Sequence, residues 1–389
     1  MLPSFAKQGR LLTIIMLSSF MLNLTFGVYR SVFSNFAVEE VGIAPGLYGL
    51  LEGIREVPGL LAMFLLAAMA FIRDERLYAL SGGMIAAGIW LYAGAGSYGD
   101  LIFATLVQSV GFHMWFVVQD SMVIRTTEIG DRARRLGQIN SAAAAGTMLG
   151  MVLVLLSSHL FSYRQYFVIF GIIGLVGAAV ALLITPAPET TKRSGFVFDW
   201  RYRSYYILTL LSGARRHIVL TFASYALVKL HGTPVTTMVT LLMIISTLAI
   251  FTRPLIGRII DKVGEQRALS LNYAAVALVF LGYAWIRQPY ILYALFVIDN
   301  VLTGFDIAIS THAGRIIPKE KLSASLATGT TINHIFGVSV PIAGGVLWEW
   351  FGPVVPFLMG VGIVLIAMIY SWNLDAKTAR ATAAIGAAD

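Results

Sequence analysis

The 389-residue chain contains no cysteine, which excludes disulfide bridges, thiolate zinc sites and cysteine nucleophiles. Charged residues are scarce as well: Asp, Glu, Lys and Arg make up 12% of the chain, against about 25% in soluble domains. The sequence has no phosphate-binding loop and no nucleophile elbow, and no H-x-x-x-H or carboxylate–histidine pairing indicates a metal site. We therefore expect neither an enzyme nor an ATP-driven pump, and neither a cofactor nor a metal.

Apolar residues make up 58% of the chain, and the mean hydropathy is +0.79. A membrane-spanning helix needs roughly 20 mainly apolar residues. Nine stretches contain no charged residue: 11–29, 77–99, 101–119, 136–158, 165–188, 232–252, 268–286, 322–348 and 350–374. Three more carry isolated charges: 46–71, 205–228 and 289–313. The sequence predicts an all-α polytopic membrane protein with twelve transmembrane helices, called spans 1 to 12 in chain order.

Basic residues are distributed unequally between the two sides of the membrane. With the N-terminus inside, 20 of the 28 Lys and Arg residues lie in cytoplasmic loops or tails, and three lie on the opposite side. Cytoplasmic loops of membrane proteins carry such an excess. We expect both termini in the cytoplasm and the chain in the inner membrane of a bacterium. The net charge of +8 is attributed to these loops, not to nucleic-acid binding.

The longest polar interruption, residues 186–204, has six spans on either side. The halves match weakly: Pro45 and Pro234 each begin an even-numbered span, and Arg125 and Arg315 each close a span before a basic loop. Parallel six-helix repeats are typical of secondary transporters. The predicted division is an N-terminal six-helix bundle (1–186), a central cytoplasmic loop (187–204), a C-terminal six-helix bundle (205–376) and a cytoplasmic tail (377–389).

The loop between spans 8 and 9 carries a motif. Residues 253–267 read Arg-Pro-Leu-Ile-Gly-Arg-Ile-Ile-Asp-Lys-Val-Gly-Glu-Gln-Arg. This resembles the G-x-x-x-D-x-x-G-x-x-[RK] loop of the major facilitator superfamily. The resemblance implies two pseudo-symmetric six-helix bundles and transport by alternating access. It also implies a cytoplasmic gate formed by Gly257, Arg258, Asp261, Gly264 and Arg267.

The residue types suit a gate. Gly257 would let two helices approach closely, and Gly264 would allow a tight turn. Asp261 could accept hydrogen bonds from a helix N-terminus or an Arg in one state only. The equivalent loop between spans 2 and 3 lacks both glycines, but Asp74 could take the role of the aspartate there. Asp120 on span 4 is a further candidate gate partner.

Two departures from the family pattern disfavour a drug/proton antiporter. Thr105 stands on span 4 where such antiporters usually carry an Arg, and residues 146–150 of span 5 have no proline.

Charged residues within membrane spans are energetically expensive, and so mark either a functional site or a paired contact. A first cluster places Arg30 of span 1 at a height similar to Glu52 of span 2, whose neighbours Arg55 and Glu56 share its face. It is either a salt-bridge network near the outer mouth or a direct contact to substrate or proton.

A second cluster lies near the midplane of the C-terminal half. Because successive helical positions differ by 100°, adjacent Arg215 and Arg216 must face different directions. One is expected to line the cavity and the other to pair, with Asp299 as the candidate partner. The alternative is a buried Arg–Asp tie without a transport role. The other predicted cavity residues of this half are Asn300, Asp306, Asn333 and His334.

These observations predict a secondary active transporter that moves a small solute and acts as a monomer. Protons are the expected coupling ion, and sodium is the alternative. The intramembrane arginines permit an organic anion as substrate, because Arg recognises carboxylate or phosphate through a planar fork. One alternative is efflux of amphipathic or cationic compounds along aromatic walls around Trp115, Phe116, Tyr225 and Trp285. Another is a receptor or scaffold with a transporter fold and no transport activity.

Overall fold

A computed structural model of the protein describes residues 5–69, 71–126, 132–185 and 198–374, and these contain helices but no β-strand. In the first half, a π-helical turn, Phe36–Glu40, follows α1. The helices of this half are α1 (Phe5–Asn35), α2 (Pro45–Leu60), α3 (Ala62–Ala68), α4 (Asp74–Leu91), α5 (Tyr98–Thr126), α6 (Arg132–Ser157) and α7 (Tyr163–Ala181).

In the second half, the π-helical turn Val219–Ala223 separates α8 from α9, and the 3₁₀ turn Thr303–Asp306 separates α12 from α13. The helices of this half are α8 (Arg203–Ile218), α9 (Ser224–His231), α10 (Val235–Val263), α11 (Glu265–Trp285), α12 (Pro289–Leu302), α13 (Ile307–Ile316), α14 (Lys319–Phe351) and α15 (Val355–Trp372).

Ten helical segments within the described residues are long and apolar enough to cross a membrane. They match predicted spans 1, 3 to 6 and 8 to 12, so the all-helical membrane fold is confirmed, whereas the count of twelve is not. The other two predicted spans correspond to α2 with α3 and to α8 with α9. In these two segments, charged residues are closely spaced. Glu52, Arg55 and Glu56 all lie on the 16-residue helix α2, and Arg215 adjoins Arg216 on α8.

Contacts divide the chain into two compact units. The first comprises residues 1–41, 61–192 and 234–240, and the second comprises 42–60, 193–233 and 241–389. Helix α2 is therefore grouped with helices of the second half. Most of the predicted central loop and the whole predicted tail, at 186–197 and 375–389, lie outside the described residues.

In the first unit, α1 packs on α6 and α7, and α4 packs on α5 and α7. Tyr92 is fully buried where these helices converge, with its ring centroid 5.5 Å from that of Tyr29 and 5.4 Å from that of Phe167. Aromatic rings at such distances pack favourably. The core of this unit is therefore a set of interlocked aromatic side chains.

In the second unit, α14 packs on both α2 and α8, while α15 packs on α8 and α11. A Cβ atom added at Gly49 would lie 2.2 Å from the carbonyl oxygen of Pro341. Helices α2 and α14 can approach so closely only because Gly49 has no side chain, as is common in membrane helix pairs. The next turns of α2, with the charged residues, therefore lie beside α14.

Candidate functional site

Several ionisable side chains are buried in the middle of the helices of the second unit, where an ionised group requires a partner. Their exposed fractions are 3% for Glu52, 8% for Glu56, 0% for Arg215, 2% for His217, 1% for Asp299 and 8% for His334. They form two groups. The Glu56 cluster consists of Glu52, Arg55, Glu56, His217 and His334, and the Arg215 triad consists of Arg215, Asp299 and Asp306.

The Glu56 cluster joins three helices around one carboxylate. Nδ1 of His334, on α14, lies 2.9 Å from Oε2 of Glu56, on α2, which is hydrogen-bond distance. Nε2 of His217, on α8, lies 3.8 Å from the same oxygen. Arg55 reaches the other oxygen, with its Nε 3.7 Å from Oε1 of Glu56, and its Nη1 donates to Oε1 of Glu52 over 2.9 Å.

Local sequence spacing positions this cluster. Glu52, Arg55 and Glu56 occupy positions i, i+3 and i+4 of α2 and therefore share a face. On α14, Gly337 follows His334 by three residues and lies on the same face. A Cβ at Gly337 would lie 2.9 Å from Nε2 of His217 and 3.3 Å from Oε2 of Glu56. The glycine thus leaves the space that the imidazole and the carboxylate occupy.

The charges of the Glu56 cluster do not balance while its histidines are neutral. Two carboxylates and one guanidinium then give a net charge of −1. A proton taken up by Glu56, His217 or His334 would bring the cluster to neutrality, and imidazole and carboxyl groups are the side chains best suited to exchange protons in this way. The geometry therefore suits a proton-binding site.

The Arg215 triad lies deeper, on α8, α12 and the 3₁₀ turn that follows α12. Nη2 of Arg215 lies 3.3 Å from Oδ1 of Asp299 and donates to the main-chain oxygen of Asp299 over 3.2 Å. The hydroxyl of Ser212, one turn earlier on α8, donates to Oδ2 of Asp306 over 2.8 Å. Arg215 is therefore held within the helix packing of the second unit.

Arg216 differs from its neighbour, as the helical geometry requires. Its side chain is exposed, and Nη2 donates to Oδ1 of Asn333 over 3.3 Å. Asn333 is itself fixed, since its Nδ2 donates to the main-chain oxygen of Thr209 over 3.1 Å. Asn300 donates to the main-chain oxygen of Phe296 on its own helix. Of the two arginines, Arg216 is thus the one that a solute could reach.

A model of the Major Facilitator Superfamily matches residues 15–339. The chain belongs to the major facilitator superfamily. The chain matches no curated protein sequence.

Solved structures of superfamily transporters resemble the chain over nearly its whole length. A point mutant of the nucleoside transporter NupG is 14% identical with a TM-score of 0.79, covering 94% of this chain and 99% of its own. A bacterial homologue of the human lysosomal transporter Spinster, inward-facing and unoccupied, is 13% identical with a TM-score of 0.78, covering 97% and 99%. At such identities the likeness shows the fold alone.

In this superfamily member the motif residues lie at the junction of α10 and α11. Gly264 has a φ of 82°, so the turn uses a left-handed conformation that favours glycine. A Cβ at Gly257 would meet no described atom within 4 Å, so the close helix approach predicted for Gly257 is absent from this structure. The side chains of Arg258, Asp261 and Arg267 are exposed.

An ion pair that the motif does not specify lies beside this turn. Glu265, the first residue of α11, pairs with Arg315 in the last turn of α13. The remaining predicted gate residues belong to the first unit. Asp74 begins α4 and is half-buried, whereas the side chain of Asp120 lies outside the described residues.

A second pair lies outside the membrane spans, just before α8. Nη2 of Arg201 lies 2.7 Å from Oδ2 of Asp199. The hydrogen bonds from Arg201 hold the pKa of the Asp199 carboxyl below its ordinary value. The pair is partly exposed, and exposed pairs of this kind contribute little to stability.

The structure regroups the residues that the sequence suggested. His334 and Glu52 were predicted in separate clusters, and the structure joins them through Glu56. The sequence indicated no carboxylate–histidine pairing as a metal site, and the structure brings Glu56 and His334 within hydrogen-bond distance of each other. Arg30, predicted beside Glu52, is an exposed residue of α1 in the first unit. The residues missing from the predicted cavity set are Glu56 and His217, and the i, i+4 spacing from Glu52 was the available signal for Glu56.

Proposed function

We propose that the chain is a proton-coupled secondary transporter that moves an organic anion by alternating access. The observation that carries the proposal is the buried Glu56 carboxylate between the imidazoles of His217 and His334. It supports proton coupling, because the cluster reaches neutrality by taking up one proton. The three groups lie on three different helices of the second unit, so protonation changes the attraction that holds those helices together.

The exposed side chain of Arg216 supports an organic anion as the substrate. An ionised side chain in the middle of a membrane span faces a water-filled cavity or the interior of the helix bundle. Arg216 is exposed, and its hydrogen bond to Asn333 employs one nitrogen of the guanidinium. Other donors of the planar fork can therefore bind a carboxylate or phosphate in bidentate fashion.

The test is transport by the purified protein in proteoliposomes. A panel of labelled carboxylates, organic phosphates and nucleosides is first screened by counterflow, which needs no driving ion. Nucleosides join the panel because of the structural likeness to NupG. A hit is then measured with an imposed pH gradient, with and without a proton ionophore, and with sodium replaced by potassium.

The proposal expects accumulation of an anion that the pH gradient drives, the ionophore abolishes and sodium removal does not. Liposomes containing protein inactivated by heat are the control. Accumulation driven by a sodium gradient alone would refute proton coupling. Counterflow of neutral or cationic amphipaths without counterflow of anions would refute the proposal that the substrate is an organic anion.

A second candidate is efflux of amphipathic compounds, which an aromatic surface of the first unit favours. Phe116 is 40% exposed, and its ring lies 4.9 Å from that of Phe112, which in turn stacks on Phe26 at 4.9 Å. Of the other predicted wall residues, Trp285 is 62% exposed. Trp115 and Tyr225 are buried, and the Tyr225 hydroxyl donates to the main-chain oxygen of Ile43.

We further propose that the protein lies in the inner membrane of a bacterium as a monomer with both termini in the cytoplasm. The excess of basic residues in the loops on one side supports the orientation of the termini. Protease accessibility of tags on each terminus in inside-out and right-side-out vesicles tests the orientation. A receptor or scaffold without transport predicts no counterflow for any member of the panel.

A further inference from the structure

An open groove lies between α11 and α15 of the second unit. Its volume is about 340 Å³, and its apolar lining consists of Leu271 and Ala274 of α11 and Met368, Ile369 and Trp372 of α15. The exposed fractions are 66% for Leu271, 61% for Ile369 and 63% for Trp372. Both helices are apolar enough to span a membrane, so apolar side chains exposed along them meet lipid. The groove therefore faces the acyl chains of the bilayer.

One end of the groove opens where both helices end. Helix α11 begins at Glu265, and α15 ends at Trp372. Nε2 of Gln266 donates to the main-chain oxygen of Trp372, so the first turn of α11 lies beside the last turn of α15. Tryptophan at the end of a membrane span is typical of the level of the lipid headgroups. The groove thus runs from the headgroup level into the acyl-chain region.

Arg267 lies at this open end. It precedes Leu271 by four positions on α11 and therefore shares the helix face that lines the groove. It also directly follows Gln266, which contacts the end of α15. The Arg267 side chain is exposed. A guanidinium is therefore placed at the mouth of an apolar groove.

The turn beside this mouth carries an excess of positive charge. Residues 258–267 and Arg315 together contain four basic and two acidic side chains, a net charge of +2. One of the two acidic residues, Glu265, is already paired with Arg315. Basic residues next to a membrane surface attract anionic lipid headgroups. The charge at the mouth therefore favours an anionic headgroup over a zwitterionic one.

We propose that the groove binds an anionic phospholipid, with one acyl chain between Leu271 and Ile369 and the phosphate at Arg267. The apolar lining suits the chain, and the planar guanidinium suits a phosphate, which it can bind through two hydrogen bonds. The indole of Trp372 lies beside the bound lipid at the headgroup level. The inference goes beyond the proposed function, because it concerns the lipid-facing surface and involves neither the solute nor the coupling ion.

The test measures which lipid contacts Trp372 in the purified full-length protein. The protein is placed in bilayers that mix phosphatidylglycerol, which is anionic, with phosphatidylcholine, which is zwitterionic. Either lipid in turn carries the same brominated acyl chains, because bromine quenches tryptophan fluorescence on contact. The signal of Trp372 is the difference between the parent and Trp372→Phe. Trp285, at the opposite end of α11 and 62% exposed, is measured in the same way as the matched control.

The association constant at Trp372 should be about fivefold higher for phosphatidylglycerol than for phosphatidylcholine, the effect expected of one basic residue beside an anionic headgroup. Trp285 should show no such preference. Arg267→Gln should remove the preference at Trp372, and high salt should weaken it by screening. Arg287→Gln makes the same change just beyond the opposite end of α11 and should retain the preference.

A second pair of variants tests the groove itself. Ala274→Phe should fill the groove and remove the preference, whereas Leu278→Phe, one turn further along α11 and 69% exposed, should keep it. The melting temperature of each variant shows that it is folded. The proposal is overturned if Trp372 of the parent shows no preference, or if Arg267→Gln keeps the parent preference. Absence of quenching by both lipids would also overturn it, since protein, such as a second copy of the chain, would then cover the groove. Failure of anion counterflow, in contrast, would refute the proposed function and leave this result standing.

Discussion

Glu56 and His334 are 278 positions apart in the chain, and Nδ1 of His334 nevertheless lies 2.9 Å from Oε2 of Glu56. The contact is possible because glycines let α2 approach α14 and leave room beside the imidazole. It places a proton-exchanging group at the junction of two helices, where its charge state affects their packing. Under the proposed function, protonation of this cluster and the arrangement of its helices are coupled.

The first prediction concerns this contact. Glu56→Gln and His334→Ala should each abolish solute accumulation driven by a pH gradient, because a neutral residue cannot exchange the coupling proton. Solute exchange at equal pH should persist at a substantial fraction of the parent rate, since exchange requires no net proton movement. Both activities are measured in proteoliposomes with the same substrate.

Glu349→Gln is the matched control, because Glu349 lies on α14 with an exposed side chain. It should accumulate solute as the parent does. Gradient-driven accumulation by Glu56→Gln at the parent level would show that the coupling proton binds elsewhere.

The second prediction concerns the space at Gly337. Gly337→Ala should place a methyl group 2.9 Å from Nε2 of His217 and so destabilise the folded protein by about 1–3 kcal/mol, the usual effect of overpacking. Thermal unfolding of the purified protein measures it. Gly362→Ala on α15 meets no atom within 4 Å and should be neutral or slightly stabilising. If Gly337→Ala and Gly362→Ala melt alike, the packing described around His217 is wrong.

Much of the fold could be predicted from the sequence, because membrane helices reveal themselves by length and hydropathy. The two predicted spans outside the ten apolar segments lie at α2, whose helix is only 16 residues long, and at α8 with α9, where Arg215, Arg216 and His217 replace apolar residues. At functional positions, residue types often differ from those that the local structure would favour. The hydropathy signal was thus weakest where the candidate site lies.

The site itself was only partly predictable. Helical geometry required Arg215 and Arg216 to face apart, and it suggested Asp299 as the partner of one of them. Nothing in the spacing of the sequence relates Glu56 to His334, since their contact depends on how α2 packs against α14. Tyr225 was interpreted as a cavity wall, but its ring packs 4.7 Å from that of Tyr48 in the core.

The third prediction concerns the motif between α10 and α11. Asp261 is exposed, and the ion pairs found among the described residues do not include it. If its gate contact forms in another conformation, Asp261→Asn should slow transport at least tenfold and leave the melting temperature of this state unchanged. Asp199→Asn should leave transport intact. Full transport activity of Asp261→Asn in proteoliposomes would refute the predicted role of Asp261 in the gate.

The fourth prediction concerns the buried pair of the triad. Arg215→Ala should destabilise the protein by about 3–5 kcal/mol, because Asp299 is left buried and unpaired. Arg215→Ala combined with Asp299→Ala should recover part of that loss, since both charges are then gone. Chemical or thermal unfolding of the parent, the two single variants and the double variant gives the interaction free energy between Arg215 and Asp299. Additive losses in the double variant would contradict the pairing.

The fifth prediction separates the two adjacent arginines. Arg216→Lys should raise the apparent KM for an organic anion about tenfold or more, because a lysine ammonium cannot reproduce bidentate binding and a charged hydrogen bond contributes roughly 1.5–3 kcal/mol. Its melting temperature should change little, since the Arg216 side chain is exposed. Arg215→Lys, one residue earlier, is the matched control: it should lower the melting temperature and leave the apparent KM of the folded fraction near the parent value. Steady-state uptake and thermal unfolding on the same preparations measure both. If Arg215→Lys raises KM and Arg216→Lys does not, the substrate binds inside the triad, and the proposed contact between Arg216 and the anion is wrong.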